Sequence, residues 1–545
     1  MKDYDETTAF LGQWGCFQQM VFFLLCATGI PNGFSGLSVV FLADIPPHHC
    51  LVPEANLTQE WHKAIIPIEV VNGQEEMSRC SRYRLDVVRN LSAQGYTPGR
   101  DVNLTDLEQE GCLDGWSYSR DTYQSTIVTE FNLVCGEQWK QPVTSTAYFL
   151  GVLCGSFISG QLSDRFGRRP VLFATMAVQT IFTFIQIFSP SWTVFTILFF
   201  TVGLGQISNY VAALVLGSEI LAGKVRVLFA SLGITLSYAT GYMMLPLFAY
   251  FLRGWKSLLL ALSLPGLLYI PFWWFIPESP RWLLTQGRVK EAEAVLRNAA
   301  KRNKIKAPQD IFKDYNSQGK PEERHSVLDL VRTISSEQTS EITLTPLNIA
   351  YFCLSLNTSQ LHGNPYVSCF LSAAVEVPAY IFSWLSLHRL PRRFCAVGTL
   401  LLGGLSIFVI QLVPQSLPEM SVALEMLGKF GISMGLAQVI VFSTELYPTV
   451  IRNTATGTFY TFSRVGSAIS PYLFQLSTYY KYLHYNILGS LVILSAVGIM
   501  FLPETFGRPL PETIQQMHKR EKIKCPCSTT KEDSPKPVVY LESQL

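Results

Sequence analysis

Charge is what this sequence is short of. Of its 545 residues only 15% are charged, against roughly a quarter in soluble globular proteins. The formal net charge is +2, so no global field points to nucleic acid. The N-terminal segment has acidic residues (Asp3, Asp5, Glu6) where a secretory signal would carry a basic region. The eight histidines do not have metal-ligand spacing, and no metal or cofactor is expected. Gly217 to Val225 hints at a phosphate loop, but its glycines are one residue too far apart and Val225 replaces the hydroxyl residue. Neither a nucleotide hydrolase nor any other enzyme is expected.

What is abundant is apolar sequence in long runs. Hydrophobic residues make up 48% of the chain, and a bilayer crossing needs about 20 consecutive apolar residues. Eleven runs qualify: 21–43, 143–162, 171–188, 192–216, 227–251, 257–276, 366–388, 394–413, 420–442, 453–476 and 482–502. A weaker run, 347–356, stands where a seventh crossing would fall, after a polar stretch holding Glu337, Glu341 and Pro346. It covers about 15 Å as helix, half a bilayer. Acidic residues oppose insertion, so 347–356 is expected to form a half-helix in the outer leaflet, preceded by an irregular segment buried against protein.

Segment 44–142 holds three glycosylation sequons, at Asn56, Asn90 and Asn103, and four cysteines, Cys50, Cys80, Cys112 and Cys135. Both features suit an oxidising, extracellular loop with two disulfides, in any of three connectivities. The short loops on the other side are basic (Arg165, Arg168, Arg169; Lys224, Arg226), which keeps such loops cytoplasmic. Twelve crossings then place both termini in the cytoplasm. The expected organisation is a cytoplasmic N-terminus (1–20), a first six-helix half (21–276), a cytoplasmic loop (277–346), a second half (347–502) and a cytoplasmic tail (503–545).

The halves repeat one another. Glu219, Arg226 and Glu278 are each followed 226 positions later by Glu445, Arg452 and Glu504, and Arg168-Arg169 is echoed at Arg392-Arg393 after 224. A constant offset argues for duplication. Two six-helix halves around a central cavity make an all-α polytopic protein of the major facilitator fold. The run Gly160-Gln-Leu-Ser-Asp164-Arg165-Phe-Gly167-Arg168-Arg169 matches that superfamily's signature. Its expected physics is a gate: Asp164 meets a helix N-terminus of the opposite half, and the arginines pair with Glu219, Glu278 or Glu445, with Arg226 and Arg452 at the same level.

The large loop, Asp164–Arg169, Pro277-Glu-Ser-Pro-Arg-Trp-Leu283 and Glu445-Leu-Tyr-Pro-Thr449 resemble the organic ion transporters. Ile30-Pro-Asn-Gly33, Gly205-Gln-Ile-Ser-Asn-Tyr210 and Leu245-Pro-Leu-Phe-Ala-Tyr250 are similar to the organic cation/carnitine subgroup. The resemblance implies a secondary-active plasma-membrane transporter of carnitine and related zwitterionic or cationic solutes, sodium-coupled in some members. Ergothioneine or cations such as tetraethylammonium are alternative substrates, and a transport-impaired relative is the alternative reading of the short seventh span.

Residue chemistry adds to this. Arg464 lies mid-span, where a charge is expensive unless it faces a cavity or a partner. The cation-selective relatives that the sequence resembles carry an acidic residue here. A guanidinium suits a substrate carboxylate; the plainer role is an ion pair with Glu376 or Glu445. A trimethylammonium group prefers aromatic faces, for which Tyr210, Tyr238, Tyr351 and Phe459 are candidates, and Glu376 is a further substrate-binding candidate. Glu376 and Lys429 are also candidates to pair with each other. Asn32, Asn209, Gln179 and Glu445 offer oxygen ligands for sodium. Ser543-Gln-Leu545 fits a ligand for PDZ domains.

Overall fold

A computed structural model describes residues 4–53, 57–71, 73–313, 336–361, 363–446 and 452–506. Twelve long helical spans run through it. Nine of these are long and apolar enough to cross a membrane: Cys16–Leu42, Cys135–Phe166, Trp192–Ile220, Gly223–Phe251, Trp255–Phe275, Pro365–Arg389, Arg392–Leu412, Pro418–Ser443 and Leu483–Met500. The third span, Arg168–Gln186, the seventh, Ser336–Leu356, and the eleventh, Arg452–Gln475, complete the set. Eleven of the twelve match the apolar runs within a few residues.

The seventh differs from expectation. Ser336–Leu356 is one continuous helix of 21 residues, about 31 Å long at 1.5 Å per residue. No irregular segment precedes 347–356, and Pro346 sits inside the helix. Only Leu344–Leu356 is apolar, so the span is short in its greasy part but not in its backbone. It packs against the tenth, eleventh and twelfth spans. A helix satisfies its own backbone internally wherever it lies, and protein neighbours replace lipid along its flank.

The first span breaks at Gly29, with Pro31 in the first turn of the segment Ile30–Leu37. This segment lies against the fifth span with almost no space between backbones. A Cβ at Gly33 would press on the Tyr238 carbonyl and the Tyr242 amide, and one at Gly241 would collide with the Ile30 carbonyl. Small residues allow such contact between membrane helices. Gly241→Val should therefore cost about 1–3 kcal/mol of packing or more, and surface labelling should show most of the mature protein lost. Near-parental surface levels would show that the two backbones can separate at no cost.

Segment 44–142 is a small folded unit. Three antiparallel strand pairs, His48–Cys50 with Trp116–Tyr118, Ile68–Val71 with Gln74–Met77, and Ser81–Tyr83 with Gln109–Gly111, flank the helices Gln59–Ala64 and Leu85–Ala93. Disulfides join Cys50 to Cys112 and Cys80 to Cys135, one of the three connectivities that sequence leaves open. Arg82, 2% exposed, is held by Glu110 at 2.9 Å and Asp114 at 2.6 Å. Asn90 and Asn103 are exposed, while Asn56 lies outside the described residues. Endoglycosidase should increase gel mobility, and replacing all three asparagines with glutamine should remove that shift. A surface-expressed wild type whose mobility does not change would place this unit on the other side of the membrane.

Candidate functional site: a tyrosine-lined cavity between the halves

The two halves meet mainly through the fifth span with the eighth and the second with the eleventh. Between them lies a cavity of about 140 Å³. Its walls come from spans one, two, four and five of the first half and seven, eight, ten and eleven of the second. Duplication predicts such a symmetric set, with the third, sixth, ninth and twelfth spans outside.

The cavity wall is aromatic with one charge. Tyr148, Tyr210, Tyr238, Tyr351 and Tyr380 line it with Phe149 and Phe352, and Arg464 is the sole charged residue among its lining. Among the described residues no carboxylate forms an ion pair with Arg464. Its two alternative partners are taken: Glu376 pairs with Lys429 at 3.3 Å and Glu445 with Arg392 at 3.2 Å. Tyr148 is 1% exposed and its hydroxyl has no hydrogen-bond partner among the described residues.

Three of the expected aromatic residues, Tyr210, Tyr238 and Tyr351, thus share one cavity with Arg464. Phe459 lies on the eleventh span, but its side chain falls outside the described residues. Glu376 does not line the cavity; it stands one layer behind. The Tyr351 hydroxyl donates to it at 2.6 Å and the Tyr380 hydroxyl at 3.4 Å. Tyr148, Tyr380, Asn348 and Gln206 also line the cavity and were not singled out from sequence. An aromatic residue in an apolar helix carries no local mark that separates wall from packing.

The amide residues form a second group, in the first half. Asn32 is fully buried, and neither its amide nitrogen nor its oxygen has a partner among the described residues. Gln179 donates to Ser35 at 2.9 Å, which leaves its own oxygen without a partner, as is that of Asn209. The spans that carry these three residues pack on one another. Buried polar atoms without partners are uncommon and call for an explanation. Glu445, expected among them, is a correction: it sits at the far end of the tenth span and accepts from Arg392 and, at 2.7 Å, from Thr505.

The basic-motif end, opposite the disulfide-linked unit, holds two matching charge clusters. In the first half Arg168 pairs with Asp164 at 2.6 Å and Glu219 at 3.0 Å. Glu278 accepts from the backbone amides of Arg168 and Arg169 at 3.1 and 3.2 Å, capping the third span. Burial pushes the Glu278 carboxyl up from its ordinary value, and the amides of Ser279, Arg169 and Arg168 pull it back. In the second half Arg392 pairs with Glu445, and Glu504 accepts from the amides of Arg392 and Arg393 at 2.9 and 3.0 Å.

These contacts correct the expected gate. Asp164 is exposed and meets Arg168 of its own half, not a helix of the other. Arg165 lies over the Phe166 ring and Arg169 over that of Trp273. Arg226 pairs with Asp5 at 2.9 Å rather than with Glu219, and it holds the Asp5 carboxyl below its usual range. The side chain of Arg452 falls outside the described residues. The inter-half seam at the other end is aromatic and hydrogen-bonded. Phe41 stacks on Tyr366 and the Tyr366 hydroxyl donates to the Thr122 carbonyl at 2.8 Å, while further in, at the cavity wall, Phe149 packs on Phe352.

Twelve spans in two repeated halves around a cavity define a major facilitator superfamily transporter rather than an enzyme. The fold is similar to that of the xylose transporter XylE from E. coli in its partially occluded inward-open form, with a TM-score of 0.60 at 12% identity, covering 91% of this chain and all of that one. The sugar (and other) transporter family matches residues 114–517. Organic cation/carnitine transporter 2 of Rattus norvegicus is 55% identical over 534 residues, 96% of this chain and 95% of that protein, and its Homo sapiens counterpart is 53% identical over 524, 95% and 94%. Solute carrier family 22 member 4 of Mus musculus is 52% identical over 550 residues, 99% of this chain and all of that protein. The chain belongs to the organic cation/carnitine transporter subgroup of the organic ion transporters.

Proposed function

We propose that this protein carries carnitine and related zwitterionic or cationic solutes across the plasma membrane by alternating access, coupled to sodium. The observation that carries the reading is one guanidinium, Arg464, in an otherwise uncharged, tyrosine-rich wall. A carboxylate satisfies the guanidinium with two parallel hydrogen bonds. A trimethylammonium group, unable to donate hydrogen bonds, is met by aromatic faces. Charge balance favours a zwitterion over a simple cation: among the described buried residues of the second half and its cavity lining, Glu376 and Glu425 stand against Lys429 and Arg464. A solute with no net charge leaves that balance intact. The rat and human relatives are named organic cation/carnitine transporter 2, which supports the same substrate class.

Sodium, as a co-transported ion, is matched to the carbonyl oxygens of Asn32, Asn209 and Gln179, whose lack of partners is what an oxygen-liking cation would relieve. The unbroken seventh helix supports a transporting protein over an impaired one. With the disulfide-linked unit outside, both termini are cytoplasmic, where the tail, outside the described residues, would meet a PDZ domain. Radiolabelled carnitine uptake by cells expressing the protein, with and without sodium, tests the reading alongside surface labelling. Surface protein without carnitine uptake overturns it, and uptake equal in both media removes sodium alone.

A further inference from the structure

Behind the cavity wall the second half holds a chain of buried charges, none of which lines the cavity. Lys429 of the tenth span is 1% exposed and ion-paired to Glu376 of the eighth at 3.3 Å. Its ammonium lies 4.0 Å from the centre of the Tyr351 ring and donates to the Ser355 hydroxyl. One turn earlier on the same helix, Glu425, also 1% exposed, accepts from Asn357 at 3.1 Å and from the Tyr485 hydroxyl at 2.5 Å. The Glu376 carboxylate is joined to the cavity wall by the hydroxyls of Tyr351 and Tyr380, both of which line the cavity.

We infer that Lys429 sets the charge preference of the cavity. Resting on the proposed zwitterion reading, the inference names the residue that keeps a cation from being favoured. Charges buried in low dielectric act over several ångströms with little screening. Paired with Lys429, Glu376 projects little negative potential through the two tyrosines, so Arg464 is the charge that an entering solute meets. Without the ammonium, Glu376 becomes an unpaired anion directly behind the wall. It then attracts an organic cation and repels the carboxylate of a zwitterion. Without the Glu376 charge, the unpaired ammonium does the reverse. Glu425, four residues before Lys429 on the same helix, is anchored by two neutral donors and does not line the cavity.

The test is uptake of radiolabelled tetraethylammonium and carnitine, each normalised to surface protein, in the wild type, Lys429→Met, Glu376→Gln and the double variant. Lys429→Met should raise the tetraethylammonium-to-carnitine ratio roughly tenfold or more, Glu376→Gln should lower it, and the double variant should return it close to the parent value. A merely structural role would depress both solutes together and leave the ratio unmoved. Should Lys429→Met fail to reach the surface, Lys429→Gln takes its place. If neither lysine variant reaches the surface, a ratio that rises or stays level in Glu376→Gln overturns the inference, and a fall supports it. An unchanged ratio in a surface-expressed lysine variant overturns the selector while leaving the substrate reading standing. Wild-type protein at the surface that takes up neither solute overturns both.

Discussion

Arg464→Ala is expected to abolish carnitine uptake while leaving the protein at the cell surface. The guanidinium has no ion-pair partner among the described residues, so its removal breaks no structural bridge. What is lost is its contact with the substrate carboxylate, and truncating one partner of a buried charged pair costs roughly 2–5 kcal/mol. Arg464→Lys should recover little, because an ammonium cannot form the planar two-point grip. Saturation curves for carnitine, normalised to surface protein, decide the matter. Parental uptake by both variants would mean that the carboxylate binds elsewhere, and the zwitterion reading would then lose its main support.

The second large effect is expected at the basic-motif end. Arg168 and Arg392 are mostly buried and each is tied to a glutamate of its own half, Glu219 or Glu445. Breaking such a pair strands a desolvated carboxylate, at a cost of about 3–5 kcal/mol. Arg168→Ala and Arg392→Ala should each reduce transport more than tenfold, a factor that about 1.4 kcal/mol already supplies. Their purified forms should also melt earlier than the parent. Because no ion pair among the described residues links the two clusters, the double variant should show additive losses of stability. If the losses were instead strongly coupled, the clusters would be interacting across the halves, contrary to the described ion pairs.

Much of this architecture can be read without coordinates. Apolar runs locate eleven spans, and the 226-residue offset pairs Glu219 with Glu445 and Glu278 with Glu504, which occupy equivalent places in the two clusters. The same offset was the signal that Glu445 belongs with the ion pairs rather than with sodium ligands. Arg464 stands out because a lone charge in mid-span is costly wherever it lacks a purpose. Tyr148 and Tyr380 do not stand out, since a tyrosine in a membrane helix looks alike whether it faces a cavity or a neighbour. The direction of the Asp164 contact could not be read either, because charge placement along the chain fixes the level of a residue but not which half it faces. The polar start of the seventh helix misled for a related reason: hydropathy scores a helix against lipid, whereas Ser336–Leu356 has three neighbouring spans beside it.

The self-contained clusters have a consequence for biosynthesis. A chain is made from its N-terminus at about 5–20 residues per second, and units fold as they emerge. Both disulfides and the bonds of Arg168 with Asp164, Glu219 and Glu278 join residues that precede Arg281. The first half can thus lock its own ion cluster and staple its disulfide-linked unit while the ribosome is still translating the second. The second half closes the same way, through Arg392, Glu445 and Glu504, with no upstream partner among the described residues. The contacts between the halves, span five on span eight, span two on span eleven and the aromatic pairs of Phe41 with Tyr366 and Phe149 with Phe352, must wait for both. Assembly of the finished protein is then a late docking of two nearly complete bodies, and a translational pause after the sixth span would fall where it does least harm.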